Sequence, residues 1–300
     1  MLFQQILNGL TLGGVYALIA LGYTMVYGIL ELINFAHGEI YMLGAYLGII
    51  FFGFFTAIGL TSFSLPLALL LTFALAVIFC SAYGFTMEKI AYRPLRNAPR
   101  LSPLISAIGM SLFLQNYVML TQGATDKVFP HLFGAAGFSI FNARLTYLQT
   151  VIIVVSFLLM ISLHLFIKRT RMGKAMRAVA QDKLMASLLG IDVDSVISMT
   201  FVIGSGLAAI AGIMIALYYG LVNYSIGYVA GIKAFTAAVL GGIGSIPGAM
   251  FGGIFLGFVE SMGGSYISNE YKDAYAFIVL IVVLLIRPSG ILGKSAEEKV

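Results

Sequence analysis

Nine apolar stretches follow one another along the chain, each near the ~20 residues that cross hydrocarbon as a helix. They lie at about 6–30, 40–60, 63–87, 104–121, 147–167, 196–219, 228–246, 247–265 and 273–287. A soluble globule is excluded. A water-facing domain carries roughly a quarter of its residues as Asp, Glu, Lys or Arg, whereas here 60% of 300 residues are hydrophobic and 10% charged. The runs are continuous and do not alternate apolar with polar, which excludes a β-barrel. The chain reads as an all-α, polytopic helical membrane protein, one domain over 1–300, with the lipid bilayer replacing most of the water.

Charge placement orients it. Of 17 basic residues, 13 fall in three segments: Lys89, Arg93, Arg96 and Arg100; Lys168, Arg169, Arg171, Lys174, Arg177 and Lys183; and Arg287, Lys294 and Lys299. The positive-inside rule assigns these segments, and with them the C-terminus, to the cytoplasm. The formal charge of +5 is therefore topological and not a nucleic-acid footprint. Residues 122–146, with Lys127 and Arg144 as their cations, form an external loop. An even number of crossings is required between the second basic segment and Arg287. Gly227, Gly231, Gly241, Gly242, Gly244 and Pro247 interrupt that region, which reads as a broken element and gives eight or nine transmembrane segments. The side of the N-terminus stays open, and its apolar stretch is too long and wrongly flanked for a cleaved signal peptide.

Small residues recur four apart at Gly9 and Gly13, Gly44 and Gly48, Gly248 and Gly252, and Gly253 and Gly257. In lipid, such faces let helix backbones approach closely. The single Cys80 sits inside an apolar run and reads as a small hydrophobe.

Two segments depart from ordinary spans. Glu31, Asn34, His37 and Glu39 stand between two apolar runs with almost no loop. They are compatible with a short polar turn at the membrane surface, or with a broken helix whose backbone lines a cavity, the reading favoured here. The second segment runs from Gly231 to Gly248. In it Lys233 either snorkels to the interface or faces a gate, and Gly241, Gly242 and Gly244 suit a tight turn packed against another subunit or a gate. Gly242 and Gly244 lack the third glycine of a dinucleotide loop, and Gly290 to Ser295 carries Pro288 where a Walker A loop needs glycine. No cofactor, metal or nucleophile site assembles from His37, Glu39, His131 and His164. An enzyme is not expected.

The basic segment from Lys168 to Ser195 keeps its apolar residues in order. Met172, Met176, Val179, Ala186 and Leu189 fall on one stripe of a helix, which Gly190 would end in a left-handed cap with Asp192 and Asp194 beyond. Such a helix lies flat on anionic lipid or inserts its Met-bearing face into a groove of a soluble partner.

Three stretches together carry a resemblance: Asn34-Phe35-Ala36-His37-Gly38-Glu39; Arg177 to Asp182 running on through Met185 to Ile191; and Lys233 to Gly248. In this order they resemble the branched-chain amino acid ABC permease family, over about Leu7 to Leu292. Sugar transporters of the wider superfamily share the glycine-rich third stretch. The resemblance implies an ABC importer permease in the bacterial inner membrane, with 122–146 periplasmic. It also implies a second related permease, two ATP-binding subunits that hydrolyse ATP, and a periplasmic binding protein that delivers leucine, isoleucine or valine. It makes 168–195 the coupling loop, with Met172, Met176, Arg177, Ala178, Asp182, Ala186 and Gly190 as its docking residues. Gln181 stands where an acid is common, which touches the salt bridges of docking but not docking itself. Asn34, His37, Glu39, Tyr41 and Thr236 are the expected lining of the path, with Lys233, Gly241, Gly242 and Gly244 at a gate. The rival is a self-sufficient transporter coupled to protons or sodium through Glu39, Glu260 and Lys233.

Overall fold

A computed structural model describes residues 2–293 apart from Asn97, Arg100, His131, Phe133, Ala135, Phe141 and Asn142. Of the residues singled out above, Arg100, His131, Lys294, Ser295 and Lys299 thus lie outside the described residues. In chain order the elements are α1 (Leu2–Leu30), α2 (His37–Ala57), the single turn α3 (Leu60–Phe63), α4 (Leu65–Met87), α5 (Leu101–Gln122), β1 (Lys127–Val128), β2 (Gly137–Ile140), β3 (Ala143–Thr146), α6 (Tyr147–Arg169), α7 (Arg171–Gln181), α8 (Lys183–Leu188), α9 (Val193–Tyr219), β4 (Leu221–Val222), α10 (Ile226–Gly241), α11 (Ile246–Tyr266) and α12 (Lys272–Ile286). A π-helical turn at Glu88–Tyr92 and a 3-10 turn at Arg93–Leu95 prolong α4.

Each of the nine apolar stretches carries one helix. Seven of these helices, α1, α2, α4 with its extension, α5, α6, α9 and α11, are long and apolar enough to cross a membrane. The other two are shorter: α10 has 16 residues and α12 has 15. The expected interruption falls between Gly241 and Ile246, where Gly242 and Gly244 take φ of 100° and 91°. These are values that a residue with a Cβ rarely adopts.

Polar residues set the helix ends. Ser64 accepts from the Leu67 N–H with Pro66 in the first turn of α4, and Thr146 and Gln149 form a reciprocal capping box at α6. Thr170 accepts from Gly173 N–H at α7, Asp182 from Met185 N–H at α8, and Ser245 from Gly248 N–H at α11. Each satisfies a donor that the helix itself cannot pair. The connection 122–146 is not irregular throughout. Lys127 pairs with Val222 across β1 and β4, and Gly137 with Thr146 across β2 and β3, both antiparallel.

The chain packs as two compact units built from interleaved stretches. The first comprises Met1–Glu31, Phe133–Val196 and Ile232–Val300, and the second Leu32–Leu132 and Ile197–Gly231. In the first, α1 lies chiefly along α11, and every residue of α1 from Thr11 to Val26 is buried. The two glycine pairs of these helices face each other: a Cβ at Gly257 would strike backbone atoms of Gly9 and Gly13, and one at Gly13 would strike Ile254 and Gly253. Without a hydrophobic force between helices in lipid, this close backbone approach is the packing device. Helix α6 shows the corresponding surface pattern, with Ile152, Ser156, Met160 and Leu163 buried and Val151, Val154, Leu158, Ile161 and Leu165 exposed.

In the second unit α2 packs on α4 and α5. Gly44 meets Ala209 and Gly212 meets the Tyr41 carbonyl. Cys80 is fully buried, its thiol directed 3.7 Å from the Ile40 carbonyl oxygen.

Candidate functional site

In the second unit, the residues around the start of α2 form a buried polar cluster. Between α1 and α2 the backbone leaves the helix at Glu31, the one described non-glycine residue with a positive φ, 59°, a conformation that costs an L-residue energy. Asn34, His37 and Glu39 are each 1% exposed and Tyr41 2%. This is not a surface turn. The Tyr92 hydroxyl donates to Asn34 Oδ1 at 2.6 Å, and the Ser111 hydroxyl to Glu39 Oε1 at 3.1 Å. Asn34 Nδ2 and Glu39 Oε2 are buried without a hydrogen-bond partner among the described residues. Gly227 stands against Glu39 because a Cβ there would occupy the place of Oε2, and Gly38 lies against Gly227 and Gly231. A buried amide N–H and a carboxylate oxygen left open are costly groups. Their clustering beside bare glycine backbone makes a buried polar patch at the helix break.

Near the end of α4, fully buried Glu88 pairs with Arg96 and accepts from the Ser198 hydroxyl at 2.6 Å. Burial lowers the Arg96 guanidinium from its ordinary value, and the Glu88 carboxylate opposes that shift. Sequence reading placed Arg96 in a basic loop and overlooked its acid. The available signal was Glu88, an acid that directly follows the apolar run at 63–87.

In the first unit Lys233 neither lies free nor reaches only water. Its Nζ stands 2.9 Å from Glu260 Oε1 and 2.7 Å from Asp273 Oδ1. The Tyr16 hydroxyl, 3.4 Å from the ammonium, donates to Glu260 Oε2 at 2.8 Å. The lysine thereby ties α1, α10, α11 and α12 together. Thr236 is fully buried, and its hydroxyl donates to the Ile232 carbonyl of its own helix at 3.0 Å.

The glycine turn after α10 packs on its own chain. The N–H groups of Ile291 and Leu292 donate to the carbonyls of Leu240 and Gly241 at 2.9 and 3.0 Å, satisfying acceptors the helix end leaves open. Gly242 lies against Ser289 and Gly293, and Gly241 against Gly248.

The basic loop differs from one continuous helix. It breaks at Asp182, which adopts extended backbone and caps α8, as short acidic side chains favour caps over helix interiors. The expected stripe is consequently divided. Met176, Val179 and Ala186 are buried and Met172 is half-buried, but Leu189 points outward. Arg177 braces α7 by donating to the Ile167 carbonyl at 2.5 Å, and Ala178 is half-buried beside it. Gly190 ends α8 at φ 81°, with Ile191 N–H donating to Ala186 O. What α8 and its C-cap residue expose is Leu184, Met185, Leu188 and Leu189, at 71, 55, 72 and 74%. Among the described residues no group of three or more His, Cys, Asp or Glu is placed to hold a metal ion.

Comparison with known proteins agrees with this architecture. No solved structure matches the chain. It is 54% identical to the high-affinity branched-chain amino acid transport system permease protein LivH of Salmonella typhimurium and, separately, to that of Escherichia coli, in each case over 99% of this chain and 97% of the relative. It is equally 54% identical, over the same shares, to the permease protein BraD of the corresponding system in Pseudomonas aeruginosa. The family described as branched-chain amino acid transport system / permease component matches residues 5–284. Seven helices long and apolar enough to cross a membrane suit such a component, and with the family match over nearly the whole length the chain belongs to the branched-chain amino acid permease family.

Proposed function

We propose that this chain is the transmembrane permease subunit of an ATP-driven importer of leucine, isoleucine and valine in a bacterial inner membrane. It forms half of the translocation path, works as a single permease domain over 1–300, and keeps its C-terminus in the cytoplasm. A second related permease completes the path, two ATP-binding subunits hydrolyse ATP, and a periplasmic binding protein delivers the amino acid.

The observation that carries this reading is the exposed apolar end of the basic loop. Four large apolar side chains, Leu184, Met185 and Leu188 on the six-residue α8 and Leu189 at its C-cap, are left exposed by the described residues, and contiguous exposed apolar surface marks an interaction site. Behind it, α7 is wedged by Met176 and Val179 and latched by Arg177 to the end of α6. It packs on α1 and α6, so a partner that displaces α8 pulls spanning helices with it. Coupling requires the ATP-binding subunits to bind the two permease conformations with different free energies. Asn34, Glu39 and their neighbours His37 and Tyr41 supply polar contacts for the passing zwitterion. Lys233 and Thr236 serve the helix framework beside the glycine turn at 241–244.

Reconstitution tests the reading. Vesicles bearing this chain with its partner subunits and ATP should accumulate leucine against a gradient, and vesicles bearing the chain alone should not. Uphill uptake by the lone chain, abolished by an ionophore, would establish the rival transporter coupled through Glu39, Glu260 and Lys233.

A further inference from the structure

One cavity in the first unit belongs neither to the polar cluster nor to the docking end of α8. It measures about 540 Å³ and is bordered by His164 and Lys168 at the end of α6, Arg177 of α7, Gly244 and Ser245 of the turn, and Pro247 in the first turn of α11. That volume falls within the roughly 300–1,000 Å³ typical of small-molecule sites. Its charge is of one sign. Among the described residues no carboxylate lines it, and the exposed Lys168 and Arg177 have no ion pair with any of them. The 21-residue helix α11 begins at its wall, adding the positive end of a helix dipole and the hydroxyl of Ser245. The remaining lining is aliphatic, from Ile167, Ile243, Ile246 and Leu292.

Two cations, a helix N-terminus and an aliphatic floor at the end of a spanning helix match one chemistry. We propose that this cavity binds a phosphate group, either in the headgroup of an anionic phospholipid or free in solution. Basic pockets between spanning helices hold anionic headgroups in this way, with the aliphatic wall meeting the glycerol end and the cations meeting the phosphate. A bound headgroup would bridge the end of α6, α7 and the glycine turn, bracing the seat of the basic loop.

Binding of phosphatidylglycerol, phosphatidylcholine and inorganic phosphate to the full-length chain in detergent, read by native mass spectrometry and by the shift in thermal unfolding, tests this. Phosphatidylglycerol should bind in preference to phosphatidylcholine. Lys168→Gln should weaken that binding roughly fivefold, the share of one cation near a headgroup, and Arg177→Gln should weaken it by a similar factor. Lys174→Gln, an exposed lysine of the same loop outside the cavity, should leave it unchanged. Competition by millimolar inorganic phosphate assigns the site to free phosphate, and absence of competition assigns it to lipid. Because Arg177 also braces Ile167, Lys168→Gln alone decides if the arginine variant does not fold. Equal weakening by Lys168→Gln and Lys174→Gln, or no weakening by Lys168→Gln, overturns the proposal.

Discussion

Lys233 shows what a single charge can do inside an apolar helix. Its side chain is 9% exposed and that of Glu260 3%, so removing one partner leaves the other charge buried without compensation, a loss of about 3–5 kcal/mol. Lys233→Met should therefore lower the thermal unfolding midpoint of the solubilised protein markedly. The double variant Lys233→Met with Glu260→Met should recover most of the loss, because no uncompensated charge then remains. Asp273 contributes little to this balance, being 62% exposed. An unchanged midpoint in the single variant would mean that the ion pair does not hold α10 to α11. Glu39 is a different case, since its buried Oε2 has no partner to lose. Glu39→Gln keeps the Ser111 contact and the volume and replaces a buried carboxylate by an uncharged amide, so it should not lower the unfolding midpoint, while slowing leucine uptake in the reconstituted complex. Uptake at the parental rate would remove Glu39 from the path.

At the scale of elements, the seam between α1 and α11 depends on the absence of side chains. A Cβ at Gly257 meets backbone of the facing helix, which cannot rotate away as a side chain would. Gly257→Val should thus destabilise more than Gly53→Val, whose Cβ position is open, and the difference should appear as a lower unfolding midpoint and reduced recovery from membranes. Equal midpoints would mean the seam relaxes at little cost. The glycine spacings made this seam visible in the sequence, but not which pair met which. The basic loop was partly legible. Its helical periodicity and Gly190 were plain, whereas the division at Asp182 depends on a local contest between capping and helix continuation that periodicity does not register. Leu184 and Leu188, off the assumed stripe, consequently do not stand out in the sequence as part of the proposed docking surface. Leu188→Asp should release the ATP-binding subunits on co-purification without changing the unfolding midpoint, as Leu188 is 72% exposed; retention of the complex would place docking elsewhere.

Over the whole molecule, the spans were legible because hydrocarbon thickness fixes a length that apolar runs must match. Their inward faces were not. On α6 the buried Ile152, Met160 and Leu163 and the exposed Val151, Val154, Leu158 and Ile161 are equally apolar, since lipid accepts what a protein interior accepts. Composition therefore separates membrane from water but not core from lipid. Partners such as Tyr92 for Asn34 and Ser111 for Glu39 lie 58 and 72 residues away, beyond any local spacing rule. Orientation remains readable through cation placement, which makes it open to a direct test. In a Cys80→Ala background, cysteines at the exposed positions Lys174 and Leu292 should react with an impermeant maleimide only when the cytoplasmic face is accessible. A cysteine at exposed Thr125 should react in intact spheroplasts. If Lys174→Cys and Thr125→Cys react from the same side, α6, the one spanning helix between them, does not cross the membrane. If the two react with sides exchanged, the basic loop faces away from ATP, and no ATP-binding subunit could grip it.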